Sequence, residues 1–287
     1  MSDVKKCAVL GDPVGHSLSP VIHRTAYDAW GLDWEYDAHR VEAGGLADFL
    51  DGLDPAEWRG LSLTMPLKRE AVPLLDSADD WVRVSGAANT LLLEPDGTRR
   101  GLNTDVSAAL ELTEGLDVDT ALVLGGGATA ASMLLALAEH GLERATIVVR
   151  DPARATETVR VVTSHRPVQL DVVTFEDLPT TVVVADLVVS TIPVTAQTPD
   201  VVASTMDAAH VFEVVYDPWP TPVAAAAERS DRPVTTGLDL LMAQAVHQVR
   251  AMTGRDDVPV EEMRRAAVEQ LESRVDRAPG QREVQDE

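Results

Sequence analysis

The stretch Leu122-Val123-Leu124-Gly125-Gly126-Gly127-Ala128-Thr129-Ala130 decides how this chain folds. An apolar run of strand type, Thr120–Leu124, meets three glycines, and a helical pattern over Ala128–His140 follows at once. Gly125, Gly127 and Ala130 occupy the three small positions of a G-x-G-x-x-G/A turn. Glycine at the first two lets the backbone turn sharply and come close to a pyrophosphate, while the helix start offers free N–H groups to that anion. Gly126, Ala128 and Thr129 complete the loop and stand with it as cofactor-binding candidates.

Outward from this turn, short apolar runs alternate with helical patterns, which predicts an α/β protein with mostly parallel sheets. Downstream strands are expected at Thr146–Val149, Val168–Val173, Asp186–Ser190 and Val211–Val215. Upstream strands are expected at Cys7–Leu10, Trp34–His39, Leu61–Thr64 and Asn89–Leu93, with helices near Pro20–Trp30, Leu46–Leu53 and Pro66–Leu75. Pro95-Asp96-Gly97-Thr98 reads as a turn into a return strand near Arg99–Leu102. A helix over Val106–Leu116 leads from the first series into the second. After Gly237 the pattern is wholly helical, Leu238–Met252 and Pro259–Arg274, and the polar tail from Ala278 is expected to fray.

Composition bounds the function. The chain has 287 residues and a formal net charge of -23. That acidity disfavours nucleic acid and anionic membranes as partners and suits a salt-adapted or highly soluble protein. Cys7 is the single cysteine, so an internal disulfide is excluded and a reducing compartment is the default. With neither a signal-type leader nor a membrane-length apolar run, the expected setting is the cytoplasm.

Several residues invite a chemical reading. Three lysines occur, and Lys5 and Lys6 lie near the start, so Lys68 stands alone in the body of the chain. Arginine keeps its proton in a protein, whereas lysine can release it. Pro66 is placed to open a helix, its missing N–H costing nothing at the first helical position. Lys68 then falls in the first turn, where the helix dipole disfavours a cation by roughly 0.3–1 kcal/mol. Both a proton-transfer lysine and a solvated lysine on an exposed turn fit this segment. Ser19-Pro20 reads as a helix N-cap and first helical residue, and the hydroxyls of Ser17 and Ser19 beside that helix start also suit a seat for a small carboxylate. Asp105 reads as an N-cap, or as a carboxylate facing a cleft between domains. Asn89 suits a sugar-like hydroxyl; Gln244, taken alone, suits an exposed helix face. His16 has no second ligand at a metal-binding interval, and no metal is expected. At the end of the strand after the glycine turn stand Arg150 and Arg154, which suit the 2′-phosphate of NADP. Asp151 could instead hold an NAD ribose, but before Pro152 it reads as an N-cap.

Taken in order, Gly11-Asp-Pro-Val-Gly-His-Ser17-Leu-Ser19-Pro, Thr64-Met-Pro-Leu-Lys68, Gly86-Ala-Ala-Asn89-Thr, Gly101-Leu-Asn103-Thr-Asp105, the Gly125 loop, Tyr216-Asp-Pro and Gly237-Leu-Asp-Leu-Leu-Met-Ala-Gln244 resemble the shikimate dehydrogenase family, shared with quinate dehydrogenase. The resemblance spans nearly the whole chain. It implies a substrate domain (1–105), a Rossmann-type NADP-binding domain (106–236) and C-terminal helices (237–287) that pack back on the first. It implies that Ser17 and Ser19 hold the substrate carboxylate with Tyr216 nearby, and that Thr64, Asn89, Asp105 and Gln244 contact ring hydroxyls. Lys68 would exchange the proton with Asp105 orienting it, and Ser190, Val214 and Gly237 would face the cofactor. The chain departs from the family pattern at Val149, Ala128-Thr129, Ser190-Thr191-Ile192-Pro193 and Val106-Ser107-Ala108. The implied reaction is the reversible reduction of 3-dehydroshikimate to shikimate by NADPH. Quinate or an aminated shikimate as substrate, and a non-catalytic NADP-binding regulator, are the alternatives, and a homodimer is left open.

Overall fold

A computed structural model describes residues 4–178 and 184–277; the tail from Ala278, expected to fray, lies outside the described residues. The chain forms two units. One gathers the chain up to Ser77, Asn89–Gly101 and the part from Ala245 on; the other gathers Ala78–Ala88 and Leu102–Gln244.

In chain order the elements up to the first sheet's end are β1 (Lys6–Gly11), α1 (Ser19–Ala29), β2 (Glu35–Arg40), α2 (Leu46–Asp51), β3 (Trp58–Leu63), α3 (Leu67–Glu70), β4 (Ser77–Ala78), α4 (Asp80–Ser85), β5 (Thr90–Leu93) and β6 (Arg99–Leu102). The first sheet has the order β2-β1-β3-β5-β6-β4. β1 runs parallel to β2 and β3, and β5 antiparallel to β3, so this sheet is mixed. β5 returns as β6 through the expected turn: Gly97 has φ +86°, which glycine adopts without steric cost, and Glu94 N–H donates to Thr98 O at 2.9 Å. β1 is buried along Cys7–Leu10, and α1 lays Ile22, Ala26 and Tyr27 in the core beside it. The helix expected over Pro66–Leu75 is shorter: α3 has four residues, and a single helical turn, Val72–Leu74, follows it.

The second series continues α5 (Thr104–Thr113), β7 (Thr120–Leu124), α6 (Ala128–Glu139), β8 (Arg144–Val149), α7 (Thr156–His165), β9 (Gln169–Thr174), β10 (Leu187–Ser190), α8 (Pro199–Ser204), β11 (His210–Glu213), α9 (Pro222–Arg229) and β12 (Val234–Thr235), before α10 (Gly237–Thr253) and α11 (Val260–Arg277). Its sheet, β12-β11-β10-β7-β8-β9, is parallel at every pair. Numbered from β7, the order is 6-5-4-1-2-3, the doubly wound arrangement in which strand order reverses between the first and fourth strands. Its strands bury both faces: Ala121 and Val123 join the apolar side chains of α5 and α6, while Leu122 and Leu124 join Val201, Val223 and Ala227. Continuous apolar strands of this kind are what a sheet covered on both sides requires. α11 lies along α1 in the first unit. Among the described residues no helix is long and apolar enough to cross a membrane.

Candidate active site

The glycine turn sits at the reversal of strand order, between the ends of β7 and β10. Gly125 has φ +106°, and a Cβ there would overlap Thr191 Oγ1 at the end of β10. Thr191 in turn donates both N–H and Oγ1–H to Leu124 O, at 2.9 and 2.8 Å. Gly126 is enclosed: a Cβ would lie 2.9 Å from Val149 Cγ1 and 3.0 Å from Ala155 Cα, and Thr158 Oγ1–H donates to Gly126 O at 2.8 Å. Gly127 is the opposite case. It caps α6 without any side-chain hydrogen bond, and nothing lies within 4 Å of where its Cβ would be. Gly127 is exposed, so no side chain covers the start of α6 on that side, at the crevice where doubly wound sheets take a pyrophosphate. Ala128 and Thr129 are half-buried beside it, and Ala130 is fully buried.

At the end of β8, Asp151 is committed to the backbone. Its carboxylate accepts from Ala153 N–H at 2.9 Å and caps the turn Pro152–Ala155. Arg150 and Arg154 are exposed on either side of it. An acid used as a cap and two exposed guanidinium groups suit a 2′-phosphate better than a bare ribose.

Sequence reasoning missed what stands behind the end of β11. Glu213 is fully buried, and its Oε2 accepts from Gln197 Nε2 and Thr221 Oγ1, each at 2.8 Å, while Oε1 accepts from Val215 N–H at 3.0 Å. Gln197 also reaches Ser190 Oγ at 3.4 Å and receives Val223 N–H at 3.0 Å. Burial raises the Glu213 carboxyl above its ordinary range, and these donors pull it back. The signal was present as one acid inside Val211-Phe212-Glu213-Val214-Val215. The network fixes the segment that carries Val214 and Tyr216, both half-buried. Gly237 closes the other side, where any Cβ would overlap Val214 O.

Asp105 lies buried in the first turn of α5, at 6 % exposure, but it is not the cap. Asn103 is: its Oδ1 accepts from Asp105 N–H at 3.2 Å and Val106 N–H at 3.3 Å, and its Nδ2 donates to Ser85 Oγ at 2.8 Å. Asn103 is thus the cap of α5, and Asp105 stands in its first turn at the positive end of the helix. Gln244, which alone would suit an exposed face, is buried and donates to Leu241 O at 2.7 Å.

In the first unit, the ends of β1 and β3 and the start of β5 lie together at one end of the sheet's strands. Thr64 N–H donates to Leu10 O at 2.9 Å, and Leu63 N–H to Asn89 O at 2.7 Å. Thr64 and Lys68 are half-buried there, and Asn89 is 2 % exposed. Two sequence expectations are corrected here. Pro66 is the cap of α3 on a cis Met65–Pro66 bond, not its first residue, and Lys68 is the second residue of a four-residue helix. Ser19 is the first residue of α1 and Leu18 its cap; Ser17 Oγ accepts Ser19 N–H at 3.2 Å instead. A proline at the second helical position gives up no bond, which is why the helix tolerates the shift. Among the described residues no cluster of metal ligands occurs.

Comparison with known proteins places most of the chain in one family. Residues 9–91 fit the model of the shikimate dehydrogenase substrate binding domain, and residues 107–211 that of shikimate / quinate 5-dehydrogenase. A shikimate dehydrogenase (NADP(+)) from Methanothermobacter thermautotrophicus is 32% identical over 86% of this chain and 90% of its own. The crystal structure of a shikimate 5-dehydrogenase from Mycobacterium fortuitum is 39% identical, with TM-score 0.78, covering 93% of this chain and 98% of that one. The shikimate 5-dehydrogenase from Thermus thermophilus, solved in complex with NADP(H) and shikimate, is 30% identical, with TM-score 0.79, covering 93% of this chain and 100% of that one. At that identity over nearly full length, the chain belongs to the shikimate dehydrogenase family.

Proposed function

We propose that this chain catalyses the NADP-dependent, reversible reduction of 3-dehydroshikimate to shikimate. The observation that carries the reading is the open start of α6 at Gly127, flanked at the end of β8 by exposed Arg150 and Arg154 with Asp151 withdrawn into a cap. When bound, the dinucleotide supplies or accepts the hydride. Gly125, Gly126, Gly127, Ala128, Thr129 and Ala130 would hold its pyrophosphate, and Ser190, Val214 and Gly237 would line the nicotinamide.

By function we divide the chain into 1–105 for substrate, 106–236 for NADP and 237–287 for the returning helices; by packing, Ala78–Ala88 and Leu102–Gln244 group in the second unit. Ser17 and Ser19 take the substrate carboxylate together with Tyr216. Thr64, Asn89, Asp105 and Gln244 take ring hydroxyls. Lys68 is the proton donor in reduction and acceptor in oxidation, and Asp105 is the orienting carboxylate. A single cysteine, Cys7, buried and in no disulfide, suits a reducing compartment such as the cytoplasm.

Steady-state kinetics with shikimate and quinate, each with NAD⁺ and NADP⁺, test the assignment. The highest kcat/KM is expected for shikimate with NADP⁺; a preference for quinate or NAD⁺ transfers the chain to the sister activity. Lys68→Ala is expected to lower kcat by roughly two to four orders of magnitude with KM for shikimate less affected. A variant with wild-type turnover removes Lys68 from the chemistry.

A further inference from the structure

Behind Asn89 lies a run of buried polar side chains whose donors and acceptors can be assigned one by one. The anchor is the backbone carbonyl of Asn89, which can only accept. The Gln248 side-chain atom 3.2 Å from it is therefore Nε2. The same nitrogen lies 2.9 Å from Thr90 Oγ1, so Thr90 accepts there and must place its own proton elsewhere. Asn89 Oδ1 lies 2.9 Å from that hydroxyl and takes it. With the Asn89 amide reversed, two donors would meet and the proton of Thr90, a fully buried residue, would lose this acceptor.

The far end of Gln248 agrees. Its Oε1 accepts from Ser62 Oγ at 2.8 Å, and Ser62 accepts from Tyr36 OH at 2.6 Å. His23 Nε2 lies 3.3 Å from the same Oε1 and must carry a proton to donate. Burial holds His23 neutral, its pKa pushed down to about 3, so Nδ1 is left as an acceptor facing Tyr27 OH at 3.5 Å. From Tyr36 through Ser62 and Gln248 to Thr90 and Asn89 each donor meets an acceptor in one polarity, and partly satisfied networks are costly.

We propose that Thr90 and Gln248 are positioning residues that lock the Asn89 amide with its oxygen inward, so that Asn89 meets the substrate as a hydrogen-bond donor. The proposal rests on the reading of Asn89 as a substrate-binding residue. Such a site asks the facing group for a lone pair, which a hydroxyl or a ketone has and an ammonium lacks.

Two measurements test it. A neutron structure of the deuterium-exchanged protein is expected to show the Thr90 deuteron directed at Asn89 Oδ1; a deuterated nitrogen in that place overturns the proposal whatever the enzyme's substrate. Kinetics of Thr90→Val, confirmed folded by thermal melting, are expected to show KM for shikimate raised roughly tenfold and KM for NADP⁺ within about twofold of wild type. Thr90→Ser, which restores the hydroxyl, is expected to recover the wild-type KM. An unchanged KM for shikimate, a parallel rise in both constants or failure of serine to rescue overturns it. If Thr90→Val does not fold, the neutron map decides alone. Wild-type protein without turnover of shikimate defeats the functional reading instead, and the neutron map still decides the amide's polarity.

Discussion

His23 is stacked on Tyr36 with ring centroids 4.1 Å apart and is wholly shut off from water, which pushes its pKa down to about 3. Above pH 6.5 the imidazole is neutral in the folded and unfolded chain alike, so its full contribution to stability is present. Below that the unfolded chain takes up a proton that the folded chain refuses, and stability falls by up to about 1.4 kcal/mol per pH unit until about pH 3. Urea titrations at about pH 8 and pH 5 are expected to show wild type losing about 2 kcal/mol more than His23→Gln; parallel losses would mean that the site is open to solvent. Nothing in Ile22-His23-Arg24 announces this, since burial of one helical position depends on residues as distant as Gln248. Gln244 escaped a residue-by-residue reading for the same reason. Lys68 stands out in the sequence because so few lysines compete with it, and Glu213 could have been found as the one acid in an apolar strand.

Among elements, the turn from β7 into α6 separates two jobs that glycine does. Gly126→Ala would press a methyl group against Val149 and Ala155 on the protein's own side and is expected to destabilise the fold by roughly 1–3 kcal/mol. Gly127→Ala meets no protein atom within 4 Å, so melting temperature should hold while the KM for NADP⁺ rises, as the proposed pyrophosphate site at this loop requires. Equal loss of stability in both variants, or unaltered NADP⁺ binding in the second, contradicts this division. This element was readable because its determinants are local: three glycines between an apolar run and an alanine-rich helix. The ends of α1 and α3 were not, because Ser17 and Pro66 act through turn geometry that a residue list does not carry. The antiparallel direction of β5 also depends on its pairing with β3, a choice made across the sheet.

On the scale of the whole molecule, a net charge of -23 repels itself in the compact state. Raising NaCl from about 0.1 M to about 1 M shortens the screening length from about 10 Å to about 3 Å. The melting temperature is expected to rise by roughly 2–4 °C over that range; a fall would show that exposed ion pairs, such as Arg40–Asp12, matter more than the repulsion. The alternation of strands and helices made the α/β class legible from end to end. That Ala78–Ala88 would join the unit built around the glycine turn was not, because only distant contacts decide it. The scarcity of lysine has a practical consequence. An amine-selective acylating reagent finds three side-chain targets in this chain, and Lys6 is a poor one because its bond to Glu57 keeps it protonated. Peptide mapping after brief labelling, with and without shikimate, would therefore test in the unmutated enzyme whether shikimate protects Lys68, as its proposed role requires, against Lys5 as an internal reference.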